Sequence, residues 1–329
     1  MGIFRYLLAL MVVLWHTPVC QDHTALKLGT IAVATFFFDS GFLRPLAYEK
    51  NYGSAGGYLL NRLLRIFPVY WASLLCDRFS PRALHAPALA IDWVQNFALL
   101  GLNQSHLWGR YLRFNNPAWT LDVELQYYLL VPLFVLCWRR SFRAVLAVMA
   151  VLSALSLYLY VRPTDVPDID NSLLGWSFFF FAGFLYQRSV AAQEWIGRQA
   201  RPVVMLALLL IACWQTELML AGLVILSAVF LKLQRDRRFG SRDAFWGELS
   251  YPVYIFHILL IRGTAWTRFQ ARVVEPLADG TLARFWITVA INFALSTAVA
   301  VAVYYLIVRP MERVRAGFKR RAGVDRARP

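Results

Sequence analysis

Residues 285–308 read FWITVAINFALSTAVAVAVYYLIV, 24 positions without one charged side chain. A helix rises 1.5 Å per residue, so this stretch reaches about 36 Å. Crossing the roughly 30 Å hydrocarbon core of a bilayer takes about 20 mostly apolar residues. The stretch therefore reads as a membrane span, and the basic residues just after it, Arg309, Arg313 and Arg315, are what a span leaves on its cytoplasmic side. Nine further apolar stretches precede it: 3–19, 28–44, 66–76 with its flanks, 123–138, 143–161, 173–187, 202–215, 217–232 and 249–263. The sequence thus predicts an all-α fold, a polytopic membrane helix bundle of about ten transmembrane helices. We divide it into a membrane domain over 1–312 and a basic cytoplasmic tail over 313–329.

Composition agrees with this reading. Of 329 residues, 59% are apolar and 16% charged, against roughly 25% charged in an average soluble domain. That excludes a cytosolic globular enzyme, and 24 Phe, 15 Tyr and 12 Trp exclude a disordered chain. The net charge of +15 is a matter of distribution. With the N-terminus inside and spans alternating, 24 of the 34 Lys and Arg fall inside and 10 outside, and both termini are cytoplasmic. An eleventh stretch, 88–104, is interrupted by Asp92, Gln95 and Asn96. As a full span it would put Arg139, Arg140 and Arg143 outside, so it is expected to be a re-entrant or surface-lying helix in an outer loop. The same distribution points to membrane lipid, and not nucleic acid, as the partner of the positive charge. Trp15, His16 and Pro18 fit a signal-peptide cleavage site badly, so the first span is expected to be retained. Cys20, Cys76, Cys137 and Cys213 form no CxxC pair and no metal-ligand spacing. They are expected to be buried hydrophobes, and no metal is expected.

Ionisable residues inside spans are functional candidates, because charge is expensive there. Arg5 and His16 lie eleven residues apart in the first span, three turns on one face. Asp39 and Ser40 follow in Phe36-Phe37-Phe38-Asp39-Ser40-Gly41-Phe42, where Ser-Gly permits close helix packing and Asp39 could pair with an arginine. Arg62 and Arg65 are three apart at the cytoplasmic mouth of the third span. Neighbouring guanidinium forks suit phosphate oxygens, while plain positive-inside anchoring is the simpler account of them. Trp119-Thr120-Leu121-Asp122-Val123-Glu124 opens the fourth span, with Thr120 as the expected N-cap and Glu124 in the first turn. Tyr254 and His257 share a face of the ninth span; a Tyr–His hydrogen bond would account for them.

In this order, Arg5 with His16, FFxxSGF at 36–42, RLLRIFPVYW at 62–71, WTLDVELQYY at 119–128 and LSYPVYIFH at 249–257 resemble the membrane acyltransferase 3 family, the multi-span O-acyltransferases of bacterial glycans. The resemblance runs from Arg5 to about Glu312. It departs at Ala32-Val33-Ala34, where many members have Gly-Val-Asp, and at Val308-Arg309-Pro310, where many have Glu-x-Pro. It implies a bacterial inner-membrane enzyme that moves an acetyl or other short acyl group from cytoplasmic acyl-CoA, such as acetyl-CoA, to a hydroxyl of a cell-envelope glycan or lipid-linked sugar. Polysaccharide-synthesis machinery would be its partner. His16 and Glu124 become the catalytic candidates, with His16 as general base or as acyl carrier and Glu124 orienting it or binding sugar. Arg5, Arg62 and Arg65 become the donor-binding candidates. Ser40, Trp119, Tyr254 and His257 become substrate or oxyanion candidates. The rival readings are a proton-coupled transporter of a small solute or lipid-linked sugar and a non-catalytic assembly subunit. A transporter favours Gly/Pro-broken helices in matching halves, and the two halves of this sequence do not show them.

Overall fold

Each of the ten apolar stretches contains a helix in a computed structural model. The structure describes residues 1–17, 27–78, 90–99, 101, 114–161, 172–236, 240–261, 272 and 281–321. Cys20 and residues 162–171, with Asp165, Asp168 and Asp170, lie outside them.

In chain order the helices are α1 (Gly2–His16), α2 (Leu28–Asn51), α3 (Ala55–Arg78), α4 (Ala90–Ala98), α5 (Ala118–Arg140), α6 (Phe142–Val161) and α7 (Leu173–Arg188). Then come α8 (Val190–Arg198), α9 (Ala200–Ala212), α10 (Thr216–Arg235), α11 (Ser241–Ile261), α12 (Thr281–Val303), a π-helical turn (Tyr304–Val308) and α13 (Arg309–Arg321). Among the described residues, four helices can cross a bilayer by length and composition: α5, α10, α11 and the rod Ala283–Phe318. A fifth is added if α8 and α9, which meet at 87°, form one broken span. The long helices α2 and α3 fall short of that apolarity because they carry Asp39, Arg44, Glu49 and Lys50, and Arg62 and Arg65.

The nine-residue α4 rises only about 13 Å and cannot cross. It buries Asp92, Gln95 and Asn96, the polar residues that interrupt the apolar stretch 88–104. Asn96 accepts from the Tyr70 hydroxyl through its backbone oxygen and from the Phe114 amide through its side chain, tying α4 to the approach to α5. The basic tail begins within a helix, since residue 313 lies inside α13. Among the cysteines expected to be buried, Cys76 and Cys213 are exposed and Cys137 is half-buried. Cys76 and Cys213 lie at helix ends, the first followed by Asp77 and Arg78, so burial in protein is not required of them.

Small residues set the closest approaches. A Cβ on Gly41 would lie 2.1 Å from the Phe180 carbonyl oxygen, and one on Gly183 would lie 2.1 Å from that of Phe38. Helices α2 and α7 therefore touch backbone to backbone, as small-residue interfaces allow. Above this contact Phe37, Phe180 and Tyr127 stack, at ring-centroid separations of 4.7 Å and 4.2 Å, joining α2, α7 and α5. Helix α1 packs along α11, with its first turn capped from outside: Asp243 accepts from the Gly2 and Ile3 amides at 2.7 and 3.0 Å. These contacts bring α1, α2, α3, α5 and α11 around one interior space.

Candidate active site

That space is a cavity of about 70 Å³, lined in part by Arg5 from α1, Ser40 and Arg44 from α2, Arg65 from α3 and Glu124 from α5. Glu124 organises its floor. Its Oε1 accepts from Ser40 Oγ at 2.7 Å, from Arg44 Nη2 at 3.5 Å and from the Tyr128 hydroxyl. Arg44 also lies over the Tyr128 ring, 5.1 Å from its centroid. Ser40 and Arg44 are four apart on α2, and Glu124 and Tyr128 four apart on α5, so each helix presents a matched pair on one face. Arg65 pairs with Glu248 at 3.0 Å. Arg5 stands over Phe36. The Nε of Arg5 and that of Arg44 are buried without an acceptor. Three guanidiniums and one carboxylate on the wall give the cavity a positive interior with donors to spare, which suits an anionic or carbonyl-bearing ligand.

Beside it, where α1 ends, two imidazoles meet. His257 Nε2 lies 3.1 Å from His16 Nδ1, with the ring centroids 4.9 Å apart. His16 Nδ1 also lies 3.0 Å from the Val12 carbonyl oxygen, and His257 Nδ1 lies 2.6 Å from that of Tyr254. A carbonyl oxygen only accepts, so a proton on Nδ1 of each neutral ring makes both carbonyl contacts hydrogen bonds. His257 then offers the lone pair of Nε2 to His16, and the lone pair of His16 is placed on its own Nε2, the form a base requires. Tyr254 joins this pair to the cavity. Its backbone holds His257, its ring lines the cavity, and its hydroxyl meets Thr120 Oγ1 at 2.8 Å.

The structure brings some of the residues singled out in the sequence together and separates others. Arg5, Ser40, Glu124, Arg65 and Tyr254 converge on one cavity; His16 and His257 do not line it and connect to it through Tyr254. Among the described residues the ring of His16 meets that of His257, while Glu124 is engaged with Ser40, Arg44 and Tyr128. Tyr254 and His257 meet through the tyrosine's backbone oxygen, not through the phenol as expected. Asp39 does not pair with an arginine; it accepts from Ser227 of α10. Thr120 is not the N-cap. The helix starts at Ala118 behind Pro117, whose missing N–H suits a helix start, and Thr120 donates back to the Pro117 carbonyl. Trp119 packs on Trp176, 5.6 Å between centroids, in the aromatic layer. Arg62 and Arg65 do not act as one fork. Arg62, 5% exposed, turns to Asn61 Oδ1 at 2.9 Å and to Tyr52. Arg44, Tyr128 and Glu248 were not anticipated; the i,i+4 relation of Arg44 to Ser40 and of Tyr128 to Glu124 is the signal that points to the first two.

Together these features define a helical membrane protein that holds charge and a histidine pair in its interior. The profile of the acyltransferase 3 family, described as an acyltransferase domain, matches residues 1–309, and the chain belongs to that family of membrane acyltransferases. It is similar to Nodulation protein 10 of Rhizobium leguminosarum bv. viciae, 25% identical over 296 residues, covering 76% of this chain and 78% of that one. No solved structure matches the chain.

Proposed function

We propose that the protein is a bacterial inner-membrane O-acyltransferase that takes an acetyl or other short acyl group from cytoplasmic acyl-CoA and places it on a hydroxyl of a cell-envelope glycan or lipid-linked sugar. All ten apolar helices are read as spans, with both termini cytoplasmic. The observation that carries the reading is the His16–His257 contact, whose carbonyl partners set the Nε2 lone pair on His16.

In this mechanism Nε2 of His16 takes the proton of the acceptor hydroxyl as its oxygen attacks the thioester carbon. The tetrahedral intermediate collapses by breaking the C–S bond. The leaving thiolate takes the proton from His16, which returns the ring to its neutral form and releases the CoA thiol. Arg5 and Arg44 present donors into the cavity, where they hold the anionic donor. Glu124 keeps Arg44 in place. Ser40, whose hydroxyl donates to Glu124, supports that carboxylate and is not the oxyanion donor the sequence suggested.

The test is His16→Ala in protein reconstituted in bilayers. Acyl transfer to glycan acceptors is expected to vanish, by about 10²-fold or more, while acyl-CoA binding and protein level persist. Turnover at the normal rate would sink the base assignment.

A further inference from the structure

At the end of the bundle where α1 begins, well away from His16, two arginines share one neutral acceptor. Asn61 Oδ1 accepts from Arg62 Nη2 at 2.9 Å and from Arg315 Nη2 at 3.1 Å. The Nε of Arg62 and that of Arg315 are both buried with no acceptor. Glu248, close by, is engaged with Arg65. Two cations on a carboxamide oxygen repel each other, and removal from water makes that costly unless an anion completes the group. We propose that Arg62 and Arg315 form a phosphate-binding site, with Arg315 of the last helix as its second jaw, and that it takes the terminal phosphomonoester of the donor nucleotide.

Three further observations support this. The π-helical turn Tyr304–Val308 separates α12 from α13, and such turns recur at functional sites because they re-aim the residues beyond them. Here the turn is followed by Met311 and Arg315, one turn apart, which line a second, narrow pocket. That cavity shares Arg65 and Tyr251 with the larger one, so the phosphate site and the charged cavity are neighbours across those two side chains. An extended donor can then lie with its phosphate at Arg62 and Arg315 and its acyl end toward Glu124 and the histidines. Guanidinium pairs are the preferred partners of phosphate because each offers a planar fork of donors.

The inference rests on acyl-CoA being the donor, but its chemistry is that of any phosphate, including an anionic lipid headgroup. Wild type, Arg315→Ala and Asn61→Asp are reconstituted in phosphatidylcholine nanodiscs and titrated with CoA and with dephospho-CoA, which lacks the terminal phosphomonoester. Asn61→Asp supplies the two arginines with an internal carboxylate, so it should keep the fold, with a thermal midpoint no lower than wild type, while competing with the phosphate. Each substitution is expected to raise the Kd for CoA by roughly tenfold or more and to leave the weaker binding of dephospho-CoA unchanged. CoA binding equal in all three proteins overturns the site and leaves the donor assignment standing. Absence of CoA binding in wild type removes the donor assignment. The site is then decided by native mass spectrometry in phosphatidylglycerol: lipid held by wild type and lost in both variants identifies a headgroup site, and equal retention overturns it.

Discussion

His257 reaches His16 through one ring nitrogen and the Tyr254 carbonyl through the other, so a backbone oxygen sets its tautomer. This makes it a positioning residue with a specific requirement: it must donate at one end and accept at the other. Asparagine can do both, and leucine can do neither. His257→Leu is therefore expected to lower kcat on the order of 10²-fold with the KM for donor unchanged, and His257→Asn to recover much of that loss. Equal loss in both variants would mean that His257 only fills space. A second residue-scale prediction concerns Glu124. Tyr128→Phe removes a hydrogen bond to a buried carboxylate, expected to cost about 1.5–3 kcal/mol of stability, read as a lower thermal midpoint in detergent. Glu124→Gln goes further, because it leaves Arg44 buried without its carboxylate; it should cost about 3–5 kcal/mol, and a smaller effect than Tyr128→Phe would contradict the role given to Glu124. The ionisable residues that converge on this site were legible in the sequence because charge inside an apolar run stands out, as with Arg5, His16 and Glu124. Arg44 was not, since an arginine near the end of a span also satisfies the positive-inside rule and carries no separate mark.

Helices α2 and α7 illustrate what periodicity leaves out. Ser40-Gly41 was legible as a close-packing step, but its counterpart, Gly183 in the run Phe178–Phe184, looks in sequence like any small residue among large ones. Only the fold pairs the two, each with its would-be Cβ 2.1 Å from the other helix's carbonyl oxygen. Gly183→Ala must push α7 off α2, which also carries Ser40 and Arg44. The expected cost is about 1–3 kcal/mol together with reduced acyl transfer, while Gly53→Ala, whose Cβ meets nothing within 4 Å, should leave both unchanged. Thermal unfolding of the two variants side by side checks this; equal midpoints would remove the backbone contact from the argument. Helix ends were also less legible than helix interiors. Pro117 starts α5 before the expected cap, and Gln199 separates α8 from α9 at 87° within a region read as loop and span. Apolar content records where a helix is buried, whereas its ends depend on turn geometry and on partners distant in sequence.

Across the whole molecule the helix ends sort into two sets. At one end Glu49 of α2 pairs with Arg139 of α5 at 3.6 Å and Arg188 of α7 at 2.9 Å, Asp243 of α11 caps α1, and Arg315 of α13 meets Asn61 of α3. At the other end Asn115, ahead of α5, donates to Ser73 of α3 and to the Ile255 carbonyl of α11, while Asn292 of α12 meets Thr17 after α1. These are the ends that the distribution of Lys and Arg assigns to the inner and outer faces. Charge alone decides which end faces the cytoplasm, and the proposed mechanism depends on that choice, because Arg62, Arg65 and Arg315 must face the compartment that holds acyl-CoA. Two exposed positions read the orientation directly: Cys76 near the end of α3 and Arg140 at the end of α5. In a protein that keeps Cys76 as its sole cysteine, a membrane-impermeant maleimide should label intact cells from outside. In one whose four native cysteines are serine and whose Arg140 is cysteine, label should appear only once the cytoplasmic face is opened. The reverse pattern would turn the bundle over, put the arginine cluster on the side without acyl-CoA, and overturn the donor assignment together with the topology.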